Sequence, residues 1–407
     1  MTIRPLQGVK VLDLSRVISG PWAAQILADM GADVIKVERP VVGDESRYQG
    51  SSLRDANGDE QHGLAATFLA MNRGKRSVTV DLANPEGQAL VRRLAGWADV
   101  LVENFKPGDL KRYGLDYASL SPEHPRLVYC SISGFGQTGP RSHLPGYDLL
   151  FQGFSGLMSV IGVPDGEPGA GPQRVGYPLI DMTTSLFAVI GMLGALRHRD
   201  QVSGRGQHID LSLLDAQTAA MTHTSVNWRV SGVLPKRSGL VSRITVPYQP
   251  FPCADGDLIV AVGNDLQFGK LAVALGHPEW ATDPRFAKSA ARTVNREALA
   301  ALIEARMRTR TIAEWTAVLN DAGVPCGPIY DLAQMADDPQ VRHNGLLREM
   351  DHPAGRVPVV GSPLRFSDSP VTYDRPPPLL GQHTDEVLRE LGFDDAGIAA
   401  LRAAKAI

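Results

Sequence analysis

The sequence predicts an α/β protein built on a parallel sheet. Three observations carry this. Short apolar runs of strand length alternate with helix-length segments over the first 136 residues. Units of that length make parallel sheets with helices on their faces. Helix starts are marked by proline or by an Asn-Pro pair, as at Pro21 and at Asn84-Pro85. Finally, 407 residues exceed what one simple core accommodates, so more than one folding unit is expected.

The elements follow in order. GVKVLDLS (8–15) reads as a buried strand, and PWAAQILADMG (21–31) as a helix with proline at its first position and a glycine stop. ADVIKVER (32–39) and SVTVDL (77–82) are strands. A helix over 84–98 has Asn84 as its cap and Pro85 as its first residue. Strands at 99–104 and 126–136 follow, and 203–216 is a turn leading into an alternating strand. From about residue 226 the pattern changes to alternating strands and helices at 265–276, 295–309 and 311–322. The expected organisation is a large α/β part over 1–225, a smaller α+β domain over 226–331, and a segment over 332–407 returning to the first. Ligands of such sheets bind beyond the carboxyl ends of the strands. Here those ends are SRVISGP (15–21), ERP (38–40), ENFKPGDL (103–110) and SGFGQTGP (133–140).

Composition narrows the function classes. The net charge of −3, from 41 basic and 44 acidic residues, gives no basic excess for nucleic acid. Cys130, Cys253 and Cys326 are odd in number and far apart, so reduced thiols in a cytoplasmic protein are expected, with no metal site. The start of the chain does not read as a signal peptide. The charge-free run 186–196 is shorter than a membrane span, so a soluble protein is expected. The loop after the first strand, SRVISGP, lacks the G-x-G-x-x-G pattern of a dinucleotide site, and a G-x-x-x-x-G-K-[ST] phosphate loop is also missing, which argues against a nicotinamide cofactor.

Several residues remain as candidates. Arg39 ends the second strand, where nucleotide-binding sheets meet the ribose and an arginine suits a phosphate. Arg73, Lys75 and Arg76 form a cluster with two readings, a phosphate site or a solvated face; Arg112 is a further cation. Phe105 is suited to stacking on a base or to the core, and His383 to a structural hydrogen bond. Asp181 opens a helix that is apolar almost all round, so the helix should be buried in a larger assembly. Taken alone, Asp181 reads as an N-cap.

The order and spacing of GVKVLDLSRVISGP, GADVIKVERP, NRGKRSVTVDLANPEG, DVLVENFKPG, GRGQHIDLSLLDA, AGVPCGPI and PPLLGQHTDEVLRELG resemble the class III CoA-transferases, the CaiB–BaiF family that includes formyl-CoA transferase. The resemblance runs nearly end to end. It implies a Rossmann-like parallel sheet in a large domain, an inserted smaller α+β domain, and an interlocked homodimer. It implies that Asp181 is the nucleophile, and that Arg39, Asn104, Phe105 and Arg112 hold coenzyme A. Ile18, Ser19 and the stretch Val80, Asp81, Leu82 and Ala83 match further coenzyme-contacting positions, and Tyr147 matches a tyrosine near the nucleophile. Acyl-CoA is then a substrate, no cofactor is tightly bound, and no membrane or nucleic acid is a partner.

Two departures narrow the reaction. The region LVSRITVPYQPF (240–251) lacks the glycine-rich loop of formyl-CoA transferases, so formyl-CoA and oxalate are not expected. The family's α-methylacyl-CoA racemases use a histidine between glycine and aspartate; here the triplet is Gly146-Tyr147-Asp148. A tyrosine, with a reference pKa near 10, is a poor base at neutral pH. The expected function is transfer of CoA from an acyl-CoA, with succinyl-CoA the expected donor, to a small carboxylic and by expectation dicarboxylic acid. A racemase-like isomerase and a non-catalytic acyl-CoA-binding protein are the alternatives. Arg174 and Arg243 are the cations available for a second carboxylate.

Overall fold

A computed structural model describes residues 3–55, 57–242 and 244–407. The chain divides into two compact units, one of residues 1–157, 175–233 and 340–407, the other of 158–174 and 234–339. Residues 158–174, read from the sequence as part of the first domain, therefore belong to the second unit, and the bounds near 226 and 331 fall eight residues later.

The first unit holds a six-stranded parallel sheet of β1 (Lys10–Asp13), β2 (Asp33–Glu38), β3 (Lys75–Thr79), β4 (Val100–Glu103), β5 (Val128–Ser133) and β6 (His208–Ser212). The strand order is β3-β2-β1-β4-β5-β6, with every pair parallel. The chain runs outward from β1 to β3, then restarts on the other side of β1 with β4. That reversal opens a crevice between the carboxyl ends of β1 and β4, where open α/β sheets take their ligands. β3 begins two residues earlier than expected and ends at Thr79, so Val80–Ala83 is loop rather than strand.

Four helices set up the crevice: α1 (Ser19–Asp29), α2 (Pro85–Trp97), α3 (Asp148–Phe154) and α4 (Leu179–His198). α2 starts as predicted, with Asn84 Oδ1 accepting from Glu86 N at 3.0 Å. α1 starts two residues before Pro21, at Ser19. Gly20 permits this tight start, because a Cβ there would lie 2.2 Å from Ser15 Cβ.

α4 differs from expectation in two ways. It is longer than the apolar run, and by length and composition it is apolar enough to cross a membrane. Yet it is packed as a core helix, burying Ile180, Thr184, Ala188 and Met192 and binding α1 through Ser185 Oγ to Ser19 O at 2.6 Å. It is also not fully buried within the chain, since Leu186 is 49% and Ile190 64% exposed.

The cluster at 73–76 belongs to the fold. Arg73 pairs with Asp29 at 2.6 Å, Lys75 with Asp13 at 2.7 Å, and Arg76 with Asp33 at 2.6 Å; all three side chains are buried. Neither a phosphate site nor a solvated face describes them. The C-terminal segment packs on the same sheet: Val387 and Leu388 join the core of Val78 and Val80, and Ser77 N donates to His383 Nδ1 at 3.2 Å.

The second unit contains a three-stranded antiparallel sheet of β7 (Tyr248–Pro252), β8 (Asp257–Ala261) and β9 (Cys326–Pro328). Helices Asp265–Ala274, Arg296–Met307 and Ile312–Asp321 close a core that includes Phe251, Val260, Phe268 and Trp315.

Candidate active site

The loop after β1 is held from both sides of the crevice. The Asn104 side chain, just past β4, accepts from Arg16 N at 2.8 Å and donates to Arg16 O at 2.7 Å. A side-chain amide thus mimics a strand partner across the reversal point of the sheet. Behind the loop, Lys36 Nζ donates to Ser15 O at 2.8 Å and pairs with Asp44 at 2.9 Å, both side chains fully buried. Asp44 Oδ1 accepts from Val17 N at 3.1 Å. Val17 has φ 68°, a left-handed conformation that a β-branched residue adopts only under constraint. Burial alone would push the Asp44 carboxyl up; Lys36 and the Ser46 backbone override it and hold it well below the usual carboxylate range.

This anchored loop delivers Ile18 and Ser19 to the start of α4. Asp181 is the third residue of α4, and the cap position is taken by Pro178. The N-cap reading of Asp181 is therefore wrong. Capping comes from another helix: Asp148 Oδ2, in the first turn of α3, accepts from Ile180 N at 2.7 Å and Asp181 N at 3.3 Å. Gln152 Nε2 holds Asp148 through its other oxygen at 2.6 Å. The Asp181 carboxylate is thereby freed from capping its own helix. Its Oδ1 accepts from Ser19 Oγ at 2.5 Å, and among the described residues it has no ion pair. Burial pushes the carboxyl up to about 6, with the Ser19 hydrogen bond opposing and the neighbouring Asp148 charge adding to the rise. Its titration is thereby moved from the usual carboxylate range toward neutral pH.

Two cavities open here. The smaller, about 260 Å³, contains Asp181 with Ile18, Ser19, Asn104, Phe105 and Tyr147 on its walls. The larger, about 870 Å³, is walled by Arg39, Phe105, Arg112 and the loop Val80, Asp81, Leu82 and Ala83. They adjoin, sharing Arg16, Glu45, Gln49 and Phe105. Every residue that the family resemblance assigns to the site thus lines one of two neighbouring cavities. The Arg39 guanidinium is exposed and, among the described residues, has no ion pair; Arg112 faces Asp109 at 3.7 Å. Phe105 packs against the core, the second of its two readings, and also lines both cavities.

Arg16, Asp44 and Asp148 escaped the sequence reading. Arg16 lies inside SRVISGP and Asp148 inside the Gly-Tyr-Asp triplet, but their partners are distant in the chain. Of the cations named for a second carboxylate, Arg174 belongs to the second unit and Arg243 lies outside the described residues.

A parallel sheet with two adjoining cavities at its reversal point, one of them lined by a half-buried carboxylate that has no ion pair among the described residues, has room for an extended ligand beside an aspartate. Comparison gives the family: the chain belongs to CoA-transferase family III, whose profile matches residues 6–384. It is an enzyme of CoA transfer. A relative from Agrobacterium fabrum (strain C58 / ATCC 33970), named succinate--glutarate CoA-transferase, is 44% identical over 95% of this chain and 96% of its own. Another, from Acetobacter aceti, is named acetyl-CoA:oxalate CoA-transferase and is 36% identical over 96% of this chain and 97% of its own. The crystal structure of a CaiB/BaiF family protein from Brucella suis superposes with a TM-score of 0.83 at 44% identity, covering 96% of this chain and 100% of that one.

Proposed function

We propose that the enzyme moves CoA from succinyl-CoA to a small dicarboxylic acid, with Asp181 as the nucleophile. The observation that carries this is the Asp181 carboxylate on the wall of the smaller cavity, released from capping by Asp148 and, among the described residues, without an ion pair. The name of the Agrobacterium fabrum relative supports the choice of acids. An Acetobacter aceti relative carries oxalate in its name, so oxalate belongs in the test panel.

Asp181 attacks the thioester carbonyl carbon; the C–S bond breaks and CoA leaves as the thiolate, giving a mixed anhydride. The thiolate attacks the aspartyl carbonyl, forming an aspartyl-CoA thioester and releasing the first acid. The acceptor carboxylate attacks that thioester, regenerating thiolate and a new anhydride. The thiolate then attacks the acceptor's acyl carbon, freeing Asp181. A partly dehydrated carboxylate is a better nucleophile than a hydrated one, which suits the burial of Asp181. The larger cavity, with Arg39 and Arg112 at its wall, suits the phosphates and adenine of CoA.

Assembly as an interlocked homodimer is part of the same reading. Leu186, Phe187 and Ile190 on α4 are exposed, and the helix Thr222–Ser231 buries none of its residues. Apolar surface of this kind marks a contact with another chain. Sedimentation should give a dimer at all dilutions. The function is tested by offering succinyl-CoA with glutarate, succinate, oxalate and monocarboxylic acids, with mass spectrometry of the products. Failure to form any new acyl-CoA would end this reading.

A further inference from the structure

We propose that Arg16 recognises the far carboxylate of the acid and thereby sets the preference for dicarboxylic substrates. This rests on the reading of the enzyme as a transferase of dicarboxylic acids. The cavity that holds Asp181 has a charge pattern suited to one end-on anion. Among the described residues, its cationic side chains are Arg16 and Lys106.

Arg16 is the one built into place. Its backbone is clamped by the Asn104 amide on one side, and its neighbour Val17 is tied to the buried Asp44. Its guanidinium lies 4.8 Å from the centre of the Phe105 ring and pairs with Glu45 at 2.8 Å. Stacking on an aromatic face holds the planar fork while leaving N–H groups for a carboxylate. Lys106 has no ion pair among the described residues and is exposed, so it lacks any such orientation.

The Glu45 pair explains how the preference works. Both partners are about half exposed, at 44% and 55%, and such pairs contribute little. An incoming carboxylate can exchange with Glu45, forming the bidentate contact characteristic of arginine. A substrate without the second charge leaves the Arg16–Glu45 pair intact and gains nothing from it. Because Arg16 also borders the larger cavity, the diphosphate of CoA is a competing anion for the same cation. The location of Arg39 and Arg112 on that larger cavity gives the coenzyme its own cations, which favours the acid as the ligand of Arg16.

The test compares glutarate with its monoamide, which has the same shape and one charge fewer. Calorimetry on the CoA complex reads their affinities whether or not transfer occurs, so it stands apart from the assay of the proposed function. The wild type should bind glutarate about 10- to 100-fold more tightly than the monoamide, as a charge-assisted hydrogen bond implies. Arg16→Gln should reduce that ratio to near one while changing CoA affinity less than about threefold. Three results would overturn the proposal: no preference in the wild type, a preference that survives in Arg16→Gln, or an equal loss of CoA and glutarate binding in that variant. The last would give Arg16 to the diphosphate.

Discussion

Asp44 and Asp181 border the same crevice and are treated in opposite ways. Asp44 is fully buried and meets Lys36 at 2.9 Å, the backbone and hydroxyl of Ser46 at 2.9 and 2.8 Å, and the Val17 amide at 3.1 Å. Asp181 is less buried and receives one neutral hydroxyl. The more deeply buried acid is the stronger one, because paired charge outweighs desolvation at Asp44 and nothing outweighs it at Asp181. Partners make Asp44 structural, and their absence leaves Asp181 available for the chemistry proposed for it. The arginines divide in the same manner: Arg73 and Arg47 are consumed by Asp29 and Glu38, while Arg39 is left open at the cavity.

The largest effect is expected at the unpaired acid. Asp181→Asn should lower CoA transfer by several orders of magnitude, because an amide cannot form the anhydride. Its stability should not fall. A folded-state pKa raised to about 6 means that the folded protein binds the proton more tightly than the unfolded chain, so stability declines as pH rises from about 4 to 6. The Asn variant lacks that decline and should melt at or above the wild type at pH 7. Melting curves across pH 4 to 8 read this, and an active variant free of deamidation would remove Asp181 from the chemistry.

At the paired acid the order reverses. Asp44→Ala leaves Lys36 buried beside Asp13 alone, at 4.0 Å, and should cost about 3–5 kcal/mol in chemical denaturation. The Asp44 pKa is depressed, so its contribution is present above about pH 4 and fades as pH falls below that. Wild type and variant should therefore converge in acid. A variant as stable as the wild type at pH 7 would break the comparison.

A smaller change is expected from Arg39→Ala, which should weaken CoA by about 10- to 100-fold with dephospho-CoA nearly unaffected, if the guanidinium meets the 3′-phosphate. Equal losses for both ligands would assign it elsewhere. Smallest is Ser19→Ala. Removing the hydroxyl that opposes the rise in the Asp181 pKa should move the acid limb of kcat/KM upward, by an amount on the order of half a pH unit, with Ser19→Thr restoring it. An unmoved limb would show that the contact at 2.5 Å does not tune the nucleophile.

Strands β1, β2, β4 and β5 were legible because each lies in a short, mostly apolar run between breakers, and the Asn84 cap because its acceptor and donor are two residues apart. The cap of α4 was not, since Asp148 reaches Ile180 from 32 residues away on another helix. The basic cluster at 73–76 was misread for the same reason. Its acidic partners lie on β1, on β2 and at the end of α1, 43 to 62 residues away, with Glu386 and Glu390 of the C-terminal segment more than 300 residues away, and no local pattern announces them. Arg39, Phe105 and Arg112 were candidates from their places in the sequence, whereas the loop Val80–Ala83 and a catalytic role for Asp181 were suggested only by family resemblance. Arg16 sits within that same resemblance, but its importance depends on which cavity it borders.

The burial that raises the proton affinity of Asp181 acts on any partner that removes its charge. An acyl group on that oxygen, or a thioester at its carboxyl carbon, removes the buried charge as a proton does. In the proposed reaction the covalent states are therefore the comfortable ones for the polypeptide, and the ionised resting enzyme is the state under load. Burial therefore shifts the balance toward the loaded forms relative to the same chemistry at an exposed aspartate.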